Sequence, residues 1–401
     1  GPVTTTMNPL FVTHLGWAAG SILKEEGVSR VLIGKDTRIS GYMFESALQA
    51  GFISAGMDVT LLGPLPTPGV SYLANSNNQV GLVISASHNL FEDNGIKFFN
   101  KNGQKFSEEL EKRIEVKLTD EMVPVDSINL GKATRMSDAQ ERYIEFCKLP
   151  FTDLDLSDLN ILLDCANGAT YSVAPKVFTQ LGANIQTVAA NPDGININQN
   201  CGSTNPDFLK DQMSKGNYDM GIAFDGDGDR ILIISSEGNI LDGDDILFIL
   251  SQKLPPNSGV VGTLMTNKAL ELHFKENNID FHRADVGDKY VLNELINYEW
   301  LLGGEPSGHI ICLDSAPTGD AIIAALKFLD SIKEMGFSIE NSLKDFKKFP
   351  QTLINLKVDS PNRIIMDDKF WEKVTEIETQ LGDSGRVLIR PSGTEPLIRL
   401  M

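Results

Sequence analysis

The chain has 401 residues, of which 41% are hydrophobic and 22% charged, with 35 glycines and a formal charge of -19. That length exceeds what one hydrophobic core serves, so several domains are expected, and the composition excludes a disordered or fibrous protein. The negative charge opposes nonspecific attachment to nucleic acid or to an anionic bilayer and leaves a small molecule as the expected partner. Cys147, Cys165, Cys201 and Cys312 lack the spacing of a zinc site and the density of a disulfide scaffold, and no apolar run is long enough to cross a bilayer, so a cytoplasmic protein is expected.

In chain order, Phe11, Val12, Leu15, Ala18, Ala19, Ile22 and Leu23 recur at helical spacing, and Gly27 and the β-branched run Val31 to Ile33 follow, which predicts helix, turn and strand. Phe44, Ala47, Leu48 and Phe52 predict a second helix, and Val59 to Leu62 a strand before the turn-rich segment 63–68. Short apolar runs at Leu82 to Ile84, Asn160 to Asp164, Met220 to Phe224 and Gly259 to Val261 each deliver polar residues at their C-terminal end. Strands alternating with helices give α/β layers, whose ligands collect at that edge of the sheet. The last stretch differs: Leu353 to Val358 and Val387 to Ile389 flank a helix around Phe370 to Leu381, a smaller α+β unit. Boundaries are expected near Leu149-Pro150, between Gly238 and Asp242, and near Phe349-Pro350.

The strongest chemical signal is Asp225-Gly226-Asp227-Gly228-Asp229-Arg230, where alternating carboxylates can converge on one hard cation while the glycines let the backbone turn. An EF-hand calcium loop needs Gly at the sixth position and Glu at the twelfth; Arg230 and Ser236 stand there instead. A solvated acidic turn is the remaining alternative. Ser85-Ala86-Ser87-His88-Asn89, followed by Asp93-Asn94-Gly95-Ile96-Lys97, places a hydroxyl beside an imidazole at a strand end, which suits a nucleophile and equally a serine-rich helix cap. No GxSxG elbow is present, against an ordinary serine hydrolase.

Glu305, Ser307 and His309 alternate in the loop Gly303 to His309, a spacing that turns all three toward one ligand or leaves a satisfied structural histidine. Arg390-Pro391-Ser392-Gly393-Thr394-Glu395-Pro396 with Arg399 offers cations, hydroxyls and a flexible Gly for a phosphate, or forms a surface turn. Lys35-Asp36-Thr37-Arg38 brings two cations to a sheet edge or forms an ion-paired surface loop.

Taken together these stretches resemble the α-D-phosphohexomutase superfamily, with its phosphoserine, metal, sugar and phosphate loops in the family's order. Within it, "GKDTRISGYMFESAL", "ISASHNLFEDNGIKFF", "RYIEFCK", "DCANGATY", "GININQNCGST", "AFDGDGDR", "VGTLMTN" and "GGEPSGH" are most similar to the branch acting on glucosamine phosphates. The resemblance implies an α/β fold: three similar mixed-sheet domains and a smaller C-terminal α+β domain around a central cleft. The expected divisions are 1–142 for phosphoserine, 143–239 for metal, 240–349 for sugar and 350–401 for phosphate. It implies an isomerase that shuttles a phosphoryl group between the 6- and 1-positions through phosphoserine 87 and a hexosamine 1,6-bisphosphate, which also serves as activator; neutral hexose phosphates are the alternative substrates, and a catalytically silent homologue the alternative class. One Mg2+ per chain would be bound by Asp225, Asp227, Asp229 and an oxygen carried by Ser87. Lys97 and His309 would transfer protons, His88 and Arg230 would support the phosphoserine, and Glu305 and Ser307 would grip sugar hydroxyls. Arg390, Ser392, Gly393, Thr394 and Arg399 would hold the second phosphate, with Lys289 and Arg38 as further contacts. The partner is a sugar phosphate, not nucleic acid or membrane, and the family admits a homodimer. Leu90 stands where the serine loop usually continues with proline, and Pro306 is unusual for this branch's sugar loop. The family's loop like "FGTDGIRG" would end just before this chain starts, and relatives continue beyond Met401, so a C-terminally truncated phosphate domain is expected.

Overall fold

The computed structural model describes residues 1–352, 354–358, 368–382, 385–391 and 397–401. They form three α/β units and a small fourth sheet. Among the described residues no helix is long and apolar enough to cross a membrane.

The three large sheets repeat one topology. In the first, Arg30–Lys35 lies between its parallel neighbours Asp58–Pro64 and Val80–Ile84, and Ile96–Phe99 returns antiparallel beside the latter, with Ala133–Arg135 at the far edge. In the second, Asn160–Asp164 lies between Asn184–Val188 and Met220–Phe224, Ile231–Ser235 returns antiparallel, and Ile240–Leu241 extends the edge. In the third, Gly259–Thr263 lies between Asp280–Ala284 and Leu302–Gly304, and Ile310–Cys312 returns.

Inner strands of these sheets are largely buried because helices cover both faces. Val80–Ile84, Met220–Phe224 and Gly259–Thr263 are buried at every position. The strands at 160–164 and 220–224 match expectation, and those at 30–35, 58–64 and 259–263 extend it slightly. The antiparallel returns are strands that periodicity did not mark, since their partner lies a loop away and supplies the pairing.

That repetition fixes where the chemistry goes. The reversal from parallel to antiparallel needs a connector at the C-terminal end of the third strand of each unit. The three connectors are 85–95, 225–230 and 305–309, the loops that carry Ser87, the aspartates and Glu305 with His309.

One large core runs through all three units, from Leu32 and Val70 through Leu163 and Phe224 to Ile322 and Leu329. A buried hydrogen bond crosses one seam, from Tyr143 Oη to Asp320 Oδ2 at 2.9 Å. The fourth sheet is antiparallel, with Leu397–Leu400 between Ile354–Lys357 and Ile389–Pro391 and the helix Asp368–Leu381 alongside in sequence. Arg386 ties it to the third unit by donating to the carbonyls of Leu264 and Thr266. The strand expected at Val387 to Ile389 lies two residues further on, although Leu388 and Met401 exchange both backbone hydrogen bonds, at 2.8 and 2.9 Å.

Candidate active site

The acidic loop 225–230 is the hub of the three units. Its successive carbonyls Gly226, Asp227 and Gly228 accept hydrogen bonds from the N–H groups of Ala169, Thr67 and Ala321, at 2.8, 2.9 and 3.1 Å. Each donor is the first residue of a helical segment: Ala169–Ser172 in the second unit, Thr67–Ser76 in the first and Ala321–Ile332 in the third. The opening N–H groups of a helix have no partner inside it and carry the positive end of its dipole. Three such ends therefore meet a loop bearing three carboxylates.

Asp225, Asp227 and Asp229 are all buried, and each presents a carboxylate oxygen within 4.8 Å of the others'. Asp225 Oδ1 accepts from the backbone of Gly228, Asp229 and Arg230 at 3.0, 3.1 and 3.2 Å, which closes the turn. Burial, then the charges of Asp229 and Asp227, pushes the Asp225 carboxyl well above its ordinary range. Burial acts on Asp229 too, but Lys97, His309 and Arg230 outweigh it and hold Asp229 well below that range.

Asp227 Oδ1 and Asp229 Oδ1 are buried and accept no hydrogen bond. Orphaned carboxylate oxygens cost free energy unless something cationic takes them. Hard oxygen donors in this number suit Mg2+, so the residues fit that ion. Lys97 Nζ supplies part of the compensation, 2.6 Å from Asp227 Oδ2 and 3.2 Å from Asp229 Oδ2. Burial would lower its pKa, but the carboxylates of Asp227, Asp229 and Asp225 raise it, so Lys97 is held as an ammonium.

Ser87 comes to the same place from the first unit, and its Oγ donates to Asp225 Oδ2 at 2.7 Å. Its backbone has φ 51°, a left-handed conformation that a serine adopts only when held. The hold is visible. Ser87 N donates to Ser85 Oγ at 2.9 Å, and the Ser87 carbonyl accepts from Arg38 Nη2 at 3.1 Å and Asn198 Nδ2 at 2.9 Å. Gly226 permits the approach, because a Cβ there would stand 2.6 Å from the Ser87 carbonyl oxygen. His88, next in the loop, is exposed.

The loop 305–309 arrives from the third unit, stitched to the acidic loop's exit strand by Ile231 N donating to Gly308 O at 3.0 Å. The alternation places Glu305 and His309 inward and leaves Ser307 exposed. Glu305 Oε1 accepts from Gly287 N at 2.9 Å. His309 lies between two carboxylates, Nδ1 3.7 Å from Asp229 Oδ1 and Nε2 3.9 Å from Asp288 Oδ2, close enough for attraction and too far for hydrogen bonds. Burial opposes its protonation, but these carboxylates raise its pKa. Arg230 Nε is 4.0 Å from Asp229 Oδ1; burial is outweighed there by Asp225, Asp229 and then Glu305.

Comparison with known proteins agrees with this arrangement across the chain. Residues 1–123, 141–238 and 242–349 match the phosphoglucomutase/phosphomannomutase family as its alpha/beta/alpha domains I, II and III, and residues 353–401 match its C-terminal domain. The chain belongs to the α-D-phosphohexomutases. Among the phosphohexomutases most like it in sequence are proteins named phosphoglucosamine mutase. That of Legionella pneumophila strain Corby is 49% identical over 99% of this chain and 89% of its own length, and that of Pseudomonas entomophila is 50% identical over 98% and 90%. In fold, it resembles a phosphoglucomutase/phosphomannomutase family protein from Burkholderia thailandensis, with TM-score 0.84 and 22% identity over 100% of this chain and 90% of that one. An N-acetylphosphoglucosamine mutase from Aspergillus fumigatus superposes with TM-score 0.60 and 18% identity over 83% of this chain and 88% of that one.

The phosphohexomutase places its remaining expected residues less uniformly. Arg38 is fully buried beneath the serine loop, paired with Asp36 and donating to the carbonyls of Ser87 and Asn89, so it shapes the loop from below. Lys35 is likewise buried and paired with Glu45 at 2.8 Å, so the segment is ion-paired but lies in the interior and not in a surface loop. Lys289 lies in the seam between the first and third units, 3.5 Å from Glu108 Oε1 and 3.8 Å from Glu111 Oε2, beside a cavity of about 440 Å3 also lined by Lys105 and Asp288. Arg390 and Arg399 are direct cross-strand partners. Ser392, Gly393 and Thr394 lie outside the described residues.

Sequence reasoning missed Thr67, Asn198, Asp288 and Gly319. Thr67 Oγ1 donates to Asp227 Oδ2. Gly319 gives His309 its space, since a Cβ there would lie 2.2 Å from Nε2. The Thr-Pro-Gly and Thr-Gly-Asp strings at 67–69 and 318–320 were the available signals, both at helix starts.

Proposed function

We propose that this chain is a phosphoglucosamine mutase, interconverting glucosamine 6-phosphate and glucosamine 1-phosphate through phosphoserine 87. The observation that carries the reading is the hydrogen bond from Ser87 Oγ to Asp225, which joins the nucleophile to a buried acidic set with two orphaned oxygens. The name of its half-identical relatives supports the amino sugar as substrate.

In the forward half-reaction a sugar hydroxyl attacks the phosphorus carried on Ser87 Oγ. The bond from phosphorus to Oγ breaks as the bond to the sugar oxygen forms, and the hydroxyl proton ends on Ser87. The product is a 1,6-bisphosphate. After the sugar reverses, its other phosphoryl group returns to Ser87 and the proton travels back. Such transfers need positioning and electrostatic stabilisation more than covalent help. Mg2+, held when bound by Asp225, Asp227, Asp229 and a phosphoserine oxygen, would neutralise charge on the transferring group.

In this reading Lys97 and His309 relay the proton, and Arg230 and His88 support the serine end. Glu305 and Ser307 face the sugar in this reading, and Arg390 and Arg399, with Ser392, Gly393 and Thr394 between them in sequence, hold the idle phosphate. The same reading carries one Mg2+ per chain, a hexosamine 1,6-bisphosphate activator and a cytoplasmic location, and it admits a homodimer.

The test is turnover of glucosamine 1-phosphate, glucose 1-phosphate and mannose 1-phosphate by the protein with Mg2+ and a bisphosphate activator. Preference for the amino sugar is expected; equal or faster turnover of glucose 1-phosphate overturns the assignment. Intact mass after incubation with the bisphosphate should rise by one phosphoryl group. A protein that cannot be charged is a silent homologue, and steady phosphate release without bisphosphate marks a phosphatase.

A further inference from the structure

Among the contacts that reach the acidic loop from other units is the hydrogen bond from the Thr67 hydroxyl to Asp227. We infer that Thr67 is a positioning residue that fixes the Asp227 carboxylate so that its Oδ1 is left for the metal, an inference that rests on the metal-site reading above.

Asp227 Oδ2 has two partners, the Thr67 hydroxyl and the Lys97 ammonium at 2.6 Å, whereas Oδ1 is buried and accepts no hydrogen bond. The two partners differ in how they respond to a cation. An ammonium and a divalent ion repel each other, so the arrival of the ion loosens Lys97's hold on the carboxylate. The hydroxyl is neutral and its bond persists. Thr67 is also the better anchored of the two. It is 3% exposed, it opens the helix Thr67–Ser76, and its own N–H donates to the Asp227 carbonyl at 2.9 Å. A β-branched side chain in a helix has few χ1 choices, so the hydroxyl is aimed by the backbone that the loop itself holds. Thr67 thus grips Asp227 at both its carbonyl and its carboxylate from another unit of the chain. Groups that orient metal ligands typically change affinity by about 10- to 100-fold when removed.

The experiment titrates MgCl2 into the purified full chain by calorimetry, for wild type, Thr67→Ser and Thr67→Val. Thr67→Val keeps the shape and the N–H bond and removes only the hydroxyl; Thr67→Ser keeps the hydroxyl. Expected are at least about tenfold weaker Mg2+ binding for T67V and binding within about threefold of wild type for T67S. Thermal unfolding in chelator accompanies each titration, and the affinity loss should exceed what any change in metal-free stability predicts. Wild-type affinity in T67V overturns the inference, as does an equal loss in T67S, which would make the role one of packing. If T67V does not fold, Thr67→Ala takes its place in the comparison with T67S. If wild type itself takes up no Mg2+, the metal-site reading falls and this inference with it; if wild type binds and T67V binds equally, only the inference falls.

Discussion

Ser87 and Asp225 stand 138 residues apart in the chain and share a 2.7 Å hydrogen bond between the first and second units. The proposed nucleophile and the proposed metal ligands are thus one structure, and the bond is the contact through which a change at either residue reaches the other.

Replacing Ser87 by Ala should abolish phosphoryl transfer, with turnover falling at least about a thousandfold, because the proposed nucleophile is the hydroxyl that, among the described residues, donates to the Asp225 carboxylate. Stability should change by no more than about 1 kcal/mol, the worth of one hydrogen bond. A steady-state assay and a thermal melt check both; turnover within tenfold of wild type would remove Ser87 from the mechanism.

Asp225→Asn separates function from stability. Asn keeps the oxygen that closes the turn and removes a buried charge that Asp227 and Asp229 repel. Without metal the variant should be more stable than wild type by about 1 kcal/mol, the scale expected when a strained functional group is relaxed. Adding Mg2+ should raise the melting temperature of wild type and leave the variant nearly unmoved. A variant that Mg2+ stabilises as strongly as wild type would argue against Asp225 as a ligand.

The Tyr143–Asp320 bond predicts a pH dependence. Burial pushes the Asp320 carboxyl up to about 6, from 3.8, against the opposing pull of its bonds from Ile323, Tyr143 and Ile322. Its folded pKa exceeds its unfolded one, so its contribution to stability is complete below the unfolded value and is lost as pH rises through about 6. Tyr143→Phe removes a donor from the ionised carboxylate, raises the folded pKa further and deepens that loss. The variant should be destabilised by about 1–3 kcal/mol at pH 7, and by less at pH 5, where the carboxyl is largely protonated. Urea unfolding at the two pH values measures the difference; an equal cost at both would mean that Asp320 does not change protonation between them.

Arg390 and Arg399 face each other across two strands, a placement in which like charges oppose pairing. In the proposed reading the pair brackets the idle phosphate. Arg390→Gln should therefore raise KM for the sugar phosphate by roughly 10- to 100-fold, the worth of a charge-assisted hydrogen bond, with a smaller effect on kcat. A loss in kcat alone would move Arg390 away from the idle phosphate.

What could be read from the sequence was what the sequence encodes locally. Asp225, Asp227 and Asp229 declare themselves because three carboxylates in five residues follow an apolar strand, and the strand at 220–224 was legible for the same reason. Ser87 was ambiguous, since a serine-rich turn looks alike whether or not Asp225 waits across the interface. Thr67 was invisible because its partner is 160 residues away. Arg38 was read as a cation at the sheet edge, yet Asp36 and the carbonyls of 87 and 89 draw it underneath the loop. The returning strand Ile231–Ser235 escaped notice because its identity comes from pairing with Met220–Phe224, not from its own periodicity.

The three helix starts that grip Gly226, Asp227 and Gly228 bear on how the protein comes into being. A nascent chain that has emerged only through residue 240 holds all three aspartates of the acidic loop, but Ala321, which secures the Gly228 carbonyl, is still to be made. The aspartates therefore lack one of the three helix starts that scaffold their loop until the third unit docks.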